Sequence, residues 1–142
     1  MTVNQISVFV ENKSGALAQI ASELVSGGVN MRALSIAETQ DFGVLRFIAD
    51  DDRKAAFVLS DAGYVLSVTP VLAVVIPDEP GSLAHTLSIL ADADIDVEYI
   101  YAFLTPQPGT ACMIFRVKDN EAAEQVLSAA GIKLATREEL LL

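Results

Sequence analysis

Apolar residues recur along the chain in two rhythms, and the whole pattern occurs twice. Ile6, Val8 and Val10 alternate, the period-two mark of a strand with one buried face. Leu17, Ile20, Ala21 and Leu24 then follow the i, i+3, i+4, i+7 spacing of a helix with one apolar stripe. Gly27-Gly28 stops that helix. Strands are predicted over residues 30–38 and 44–49. A helix over 51–62 opens on Asp50-Asp51-Asp52, acids that suit the positive end of a helix. Gly63 ends it, and residues 64–68 make a fourth strand. The same order returns as strand 71–76, helix 80–93, strands 96–104 and 110–118, helix 119–130 and strand 131–136.

Superposing Gly15 on Gly81, 66 positions apart, brings Ile6, Val8 and Val10 onto Leu72, Val74 and Ile76. Leu17-Ala18 falls on Leu83-Ala84, Leu24 on Leu90, and Val29-Asn30-Met31 on Ile95-Asp96-Val97. Ile48 and Asp50 match Val117 and Asp119 at an offset of 69, which implies three extra residues in the loop 105–109. Leu59 and Gly63 match Leu127 and Gly131 at 68. Two copies are therefore expected, residues 1–70 and 71–142. Each reads βαββαβ, the ferredoxin-like unit, so the fold class is α+β with antiparallel sheets. Right-handed crossovers place both helices of a copy on one sheet face.

Composition narrows the function. Apolar residues make up 52% of the chain, enough for packed cores and too much for a disordered chain. The longest apolar runs, residues 71–76 and 99–104, are far shorter than the roughly 18 residues of a membrane span. The N-terminus lacks the basic and apolar segments of a secretory signal, and one cysteine gives no internal disulfide, so a cytoplasmic setting is expected. The net charge of −10, with the nine bases spread along the chain, argues against nucleic acid and anionic membrane as partners.

Catalytic constellations are not evident: there is no metal-ligand spacing, no phosphate loop and no Ser-His-Asp order. No cofactor and no metal are expected. His85 lies off the apolar stripe of its helix, as a surface residue or as part of a ligand site. Cys112 begins an apolar strand and reads as a small buried hydrophobe. Glu138-Glu139 reads as a solvated tail.

The strand-to-helix turn does repeat, as Glu11-Asn12-Lys13-Ser14-Gly15-Ala16-Leu17 and Pro77-Asp78-Glu79-Pro80-Gly81-Ser82-Leu83. A glycine lets a ligand approach the backbone, and a helix start offers unpaired N–H groups to a carboxylate. A purely structural reading stands beside this one: Ser14 as N-cap and Pro80 in the first turn.

Asn-Lys-Ser-Gly-Ala-Leu-Ala followed by Gly-Gly-Val-Asn-Met, and Asp-Glu-Pro-Gly-Ser-Leu-Ala followed by Ala-Asp-Ile-Asp-Val, resemble the ACT domain family in both copies. The resemblance implies a non-catalytic regulatory module that binds a free amino acid between paired domains. It implies ligand contacts from Asn12, Ser14, Gly15, Ala16 and Leu17 with Asn30. In the second copy it implies Asp78, Pro80, Gly81, Ser82 and Leu83 with Asp96. It further implies pairing of domains and association with an enzyme of amino-acid metabolism. Ser14 replaces the family's usual proline, and acids fill both polar positions of the second copy. Residues 6–13 also look like the opening of the small regulatory subunit of acetohydroxyacid synthase, an alternative setting for the same module. A small enzyme on a ferredoxin-like scaffold is a further alternative. The alternation of Tyr99, Tyr101 and Phe103, with apolar residues between them, predicts a strand covered on both faces, by the other copy or by a second chain, and a homodimer is expected.

Overall fold

The computed structural model describes residues 1–104 and 107–142. The elements run β1 (Val3–Glu11), α1 (Ala16–Ser26), β2 (Met31–Glu38), β3 (Phe42–Ala49), α2 (Asp52–Asp61) and β4 (Leu66–Pro77), then α3 (Ser82–Asp92), β5 (Val97–Ala102), β6 (Thr110–Val117), α4 (Asn120–Ala129) and β7 (Lys133–Leu134). They form two compact units, Asn4–Thr69 with Leu142, and Pro70–Leu141 with Met1–Val3. Both units have the expected α+β, ferredoxin-like order.

In the first unit the strand order is β2-β3-β1 followed by the start of β4. Register sets which side chains meet. Ile6 lies opposite Phe47 and Val8 opposite Leu45, and β2 brings Leu34 and Ile36 beside the same two residues of β3. Side chains of one parity therefore share one face. Ile6, Val8, Leu45 and Phe47 pack there against Ile20 and Leu24 of α1 and Ala55 and Leu59 of α2. Burying each of the larger of these side chains stabilises by about 1.5–3 kcal/mol before conformational entropy is counted. The second unit repeats this with order β7-β4-β6-β5 and a core of Leu72, Val74, Phe115, Val117, Leu90, Ala123 and Leu127.

The register corrects the superposition of the copies. Ile6 pairs with Phe47 and Leu72 with Phe115, so Phe47 corresponds to Phe115 and the offset at the third strand is 68. The second copy thus gains two residues ahead of that strand, and the match of Ile48 to Val117 is off by one. A slip of one residue exchanges sheet faces. Val117 belongs to the helix-side core of its unit, whereas Ile48 is buried outside the helix-side cluster of its own. The expected insertion loop runs through Thr105 and Pro106, which lie outside the described residues.

Three further expectations change. The strands expected at 64–68 and 71–76 are one strand, β4 (Leu66–Pro77), because Val71 follows Pro70 with no turn between them. The last strand shrinks to two residues, extended by the bond from Ala135 N to Ala73 O at 2.8 Å. Glu139 is not a free tail: its carboxylate accepts from Thr136 N at 3.1 Å while Glu139 N donates to Thr136 Oγ1 at 3.2 Å, a reciprocal cap.

The copies differ inside the core. Thr86 occupies the place of Ile20, fully buried, and donates its hydroxyl to Ser82 O at 3.0 Å. This bond to the preceding turn satisfies a polar group that would otherwise be costly there. Asp94 takes the left-handed turn that Gly28 takes in the first copy, with φ 58° against 74°. Cys112 is buried, and desolvation pushes its thiol up to about 11. Among the described residues no helix is long and apolar enough to cross a membrane.

Candidate functional site

The repeated turn is built by the change from strand to helix. In the first unit β1 ends at Glu11, Lys13 N closes back on Glu11 O at 2.9 Å, and Ala16 N on Lys13 O at 3.3 Å. Gly15, at φ 84°, is the residue from which α1 starts. A side chain is strained in that left-handed geometry, which explains the glycine. The first helical bond runs from Gln19 N to Gly15 O at 3.0 Å, leaving the N–H groups of Leu17 and Ala18 without an acceptor in the described chain.

Ser14 therefore does not cap α1, contrary to the structural expectation. It sits one residue too early, and no side chain caps this helix. Pro80 likewise lies outside α3, which starts from Gly81 at φ 91°. There Ser82 N bonds Glu79 O at 3.3 Å and His85 N bonds Gly81 O at 2.9 Å, leaving Leu83 and Ala84 in the position of Leu17 and Ala18. The other two helices are closed. Asp51 accepts from Lys54 N, and Asp119 from Ala122 N, each at 3.0 Å. One helix of each unit is thus capped by its own aspartate, while the helix after the Gly15 or Gly81 turn presents open N–H groups.

Asn12 anchors the first turn. Its backbone N–H donates to Asp41 O at 3.2 Å and its side-chain Nδ2 to Gln40 O at 3.3 Å, which ties the turn to the β2–β3 connection. Asp78 N makes the equivalent bond to Gly109 O at 3.0 Å. Two grooves flank the first turn and share Val10, Glu11, Lys13 and Ala16. The larger, about 360 Å³, extends past Gln19 to Phe42 and Tyr64. The smaller, about 180 Å³, reaches Asn12, Leu17, Ile36, Glu38 and Gly43. Phe9 and Phe42 meet edge to face at 6.2 Å beside the larger one.

Charge separates the copies. In the first turn Lys13 pairs with Glu11 at 2.9 Å, so the turn is locally neutral. The second carries Asp78 and Glu79 with no base between Pro77 and Leu83.

Of the expected site residues, Asn12, Ala16 and Leu17 come together at the smaller groove, with Ser14 and Gly15 exposed on the turn beside them. Asp78, Pro80, Gly81, Ser82 and Leu83 gather at the second turn. Asn30 and Asp96 join neither. The turns lie at the end of the sheet where Glu11 meets Phe42 and Pro77 meets Thr110. Asn30 stands at the other end, its N–H on Asp50 Oδ1 at 3.0 Å, and Asp96 precedes Val97, opposite Val117. The eight residues of β3 separate the two ends by roughly 23 Å at strand rise. His85 is exposed. The groove walls Ile36, Glu38, Gly43 and Phe42 escaped the sequence reading. The shared parity of Ile36 and Glu38, and the difference between Gly43 and Ala111, were the available signals.

The sequence model of the ACT domain pair matches residues 1–141. The chain belongs to the ACT domain pair family. This ACT pair is similar to protein BT0572 from Bacteroides thetaiotaomicron, with 33% identity over 99% of this chain and 96% of that one and a TM-score of 0.92. The regulatory subunit of aspartate kinase from Thermus thermophilus, in its ligand-free form, shares the fold at 17% identity and TM-score 0.66, covering 89% of this chain and 91% of the other. The Thermus flavus counterpart does so at 15% and 0.63, covering 90% and 92%. A search of curated protein sequences finds no match.

The capping pattern gives a direct test. Asp51→Ala and Asp119→Ala should each lower unfolding free energy by about 1 kcal/mol in denaturant titrations. Ser14→Ala, at a position whose side chain caps nothing, should change it by less than about 0.5 kcal/mol. A loss at Ser14 equal to that at Asp51 would contradict the assignment of Gly15 as the helix start.

Proposed function

We propose that this chain is a non-catalytic regulatory protein that binds a free amino acid at the Gly15 turn. The observation that carries the reading is the uncapped start of α1, with the free N–H groups of Leu17 and Ala18, beside two grooves. A ligand carboxylate would take those N–H groups, aided by the positive end of the helix. Asn12 uses its Nδ2 on Gln40 O, which leaves Oδ1 to accept from the ligand's ammonium. Gly15 keeps the approach free of a side chain; a Cβ built there meets nothing within 4 Å. The Gly81 turn has the same backbone, but Asp78 and Glu79 would repel a carboxylate, so the first turn is the principal site. A thiol pushed up to about 11 is a poor nucleophile at neutral pH, which accords with a binding role.

The separation of Asn12 from Asn30 bears on assembly. One ligand can touch both only if the asparagine at position 30 comes from a different ACT domain. A homodimer supplies one, and two-fold pairs are the commonest closed assemblies. The regulatory output would pass to an enzyme of amino-acid metabolism. Binding shifts such a system only if one arrangement holds the ligand better than another.

A thermal-shift panel of the twenty amino acids tests the ligand. One of them should raise the melting temperature, with about 2.7 kcal/mol of stabilisation at a hundredfold excess over its Kd. Asn12→Ala should weaken that binding by about 1–3 kcal/mol, and Asn12→Asp, which places the acid of the second turn beside the ligand carboxylate, should weaken it as well. No response to any amino acid would defeat the reading. Sedimentation equilibrium should separately give twice the 15.1 kDa chain mass; the single-chain mass at high concentration, with and without ligand, would exclude the dimer.

A further inference from the structure

We propose that the smaller groove selects an amino acid whose side chain is an aliphatic stem ending in a cation. This rests on the amino-acid-binding reading above and names the ligand class of that site. The groove occupies the helix-bearing face of the first sheet, just beyond the start of α1. Val10 lies opposite Gly43, and Gly43 opposite Glu38, so these three positions share a face with Ile36, two residues before Glu38. Leu17 and Ile36 provide apolar walls, Gly43 the floor and Glu38 the rim.

Three differences between the copies give this groove its character. Gly43 does not have the positive φ that would require glycine. A Cβ there would come 3.3 Å from Ala37 O and 3.6 Å from Ile36 Cγ2, so its absence opens space at the floor. In the second unit the same register position, opposite Ile76, is Ala111. At the rim, Ile36 corresponds to Ala102, since Ile36 lies opposite Leu45 and Ala102 opposite Met113. Two residues on, Glu38 corresponds to Leu104. The first unit thus has a bare floor, an isoleucine wall and an acid where the second has a methyl group, an alanine and a leucine.

Charge then fixes the class of ligand. Glu11 is already paired with Lys13. The carboxylate of Glu38 is exposed and has no ion pair or side-chain hydrogen bond among the described residues, so the groove carries one uncompensated negative charge. A lysine-like side chain would lay its methylenes along Leu17 and Ile36 and bring its cation to Glu38, as long basic side chains do on protein surfaces.

Lysine and norleucine share the four-carbon stem and differ in the terminal amine, so they isolate this feature. Calorimetric titration of the full chain should show lysine binding about fivefold more tightly than norleucine, the size expected of a solvent-exposed ion pair. Glu38→Gln should abolish that preference by weakening lysine alone. Gly43→Ala, which copies the second unit, should weaken both ligands; if that variant does not fold, Glu38→Gln decides. Norleucine binding as tightly as lysine, or a preference that survives Glu38→Gln, would overturn the ligand class while leaving amino-acid binding intact. Silence of both ligands and of the remaining amino acids would instead remove the reading on which the proposal rests.

Discussion

A small antiparallel sheet must bury one face under two helices, and that requirement commits every second residue of every strand. In the first unit Ile6, Val8, Leu45 and Phe47 are spent in this way, covered by Ile20, Leu24, Ala55 and Leu59. The helices do not reach the whole face. α1 begins at Ala16, after a turn that leaves β1 at Glu11, so Val10, Gly43, Ile36 and Glu38 keep the helix-side parity with only the helix start beside them. The same geometry that closes the core leaves a groove at its end, beside a helix start whose first N–H groups are uncapped. The ligand site proposed for this unit rests on that packing.

Duplication makes the comparison internal. The two units share the left-handed glycine before α1 and α3, the aspartate caps of α2 and α4, and a register irregularity at the start of β2 and of β5. Those features serve the fold, and both copies need them. Side chains around the turn diverge: Lys13 against Glu79, Asn12 against Asp78, Gly43 against Ala111. Divergence on a shared backbone is expected when one copy keeps a binding task and the other serves mainly as scaffold, since fold alone does not fix function.

Much of this was legible in the chain. Periodicity marked the first strand and first helix, opening acids and a closing glycine marked the second helix, and the glycine pair at 15 and 81 aligned the copies. The failures have physical causes. Val71 follows Pro70 without a turn, so two expected strands are one, and local pattern does not distinguish a continuing strand from a new one. The third strand was matched one residue out because Ile48 and Phe47 are both apolar, and only pairing with Ile6 shows which faces the helices. Ser14 looked like a cap because serine before a helix usually is one, but the left-handed Gly15 takes that position. The far wall of the groove comes from β2 and β3, more than twenty residues from the turn, and depends on strand register that the sequence does not state.

We propose that the two turns, of one backbone design, differ in function because their side chains differ. Binding stoichiometry measures this most directly. Isothermal titration of the purified chain with its best-binding amino acid, at a known concentration of folded protein, should give one ligand per chain. Two equivalent ligands per chain would mean that Asp78 and Glu79 do not disable the second turn, and would contradict the account.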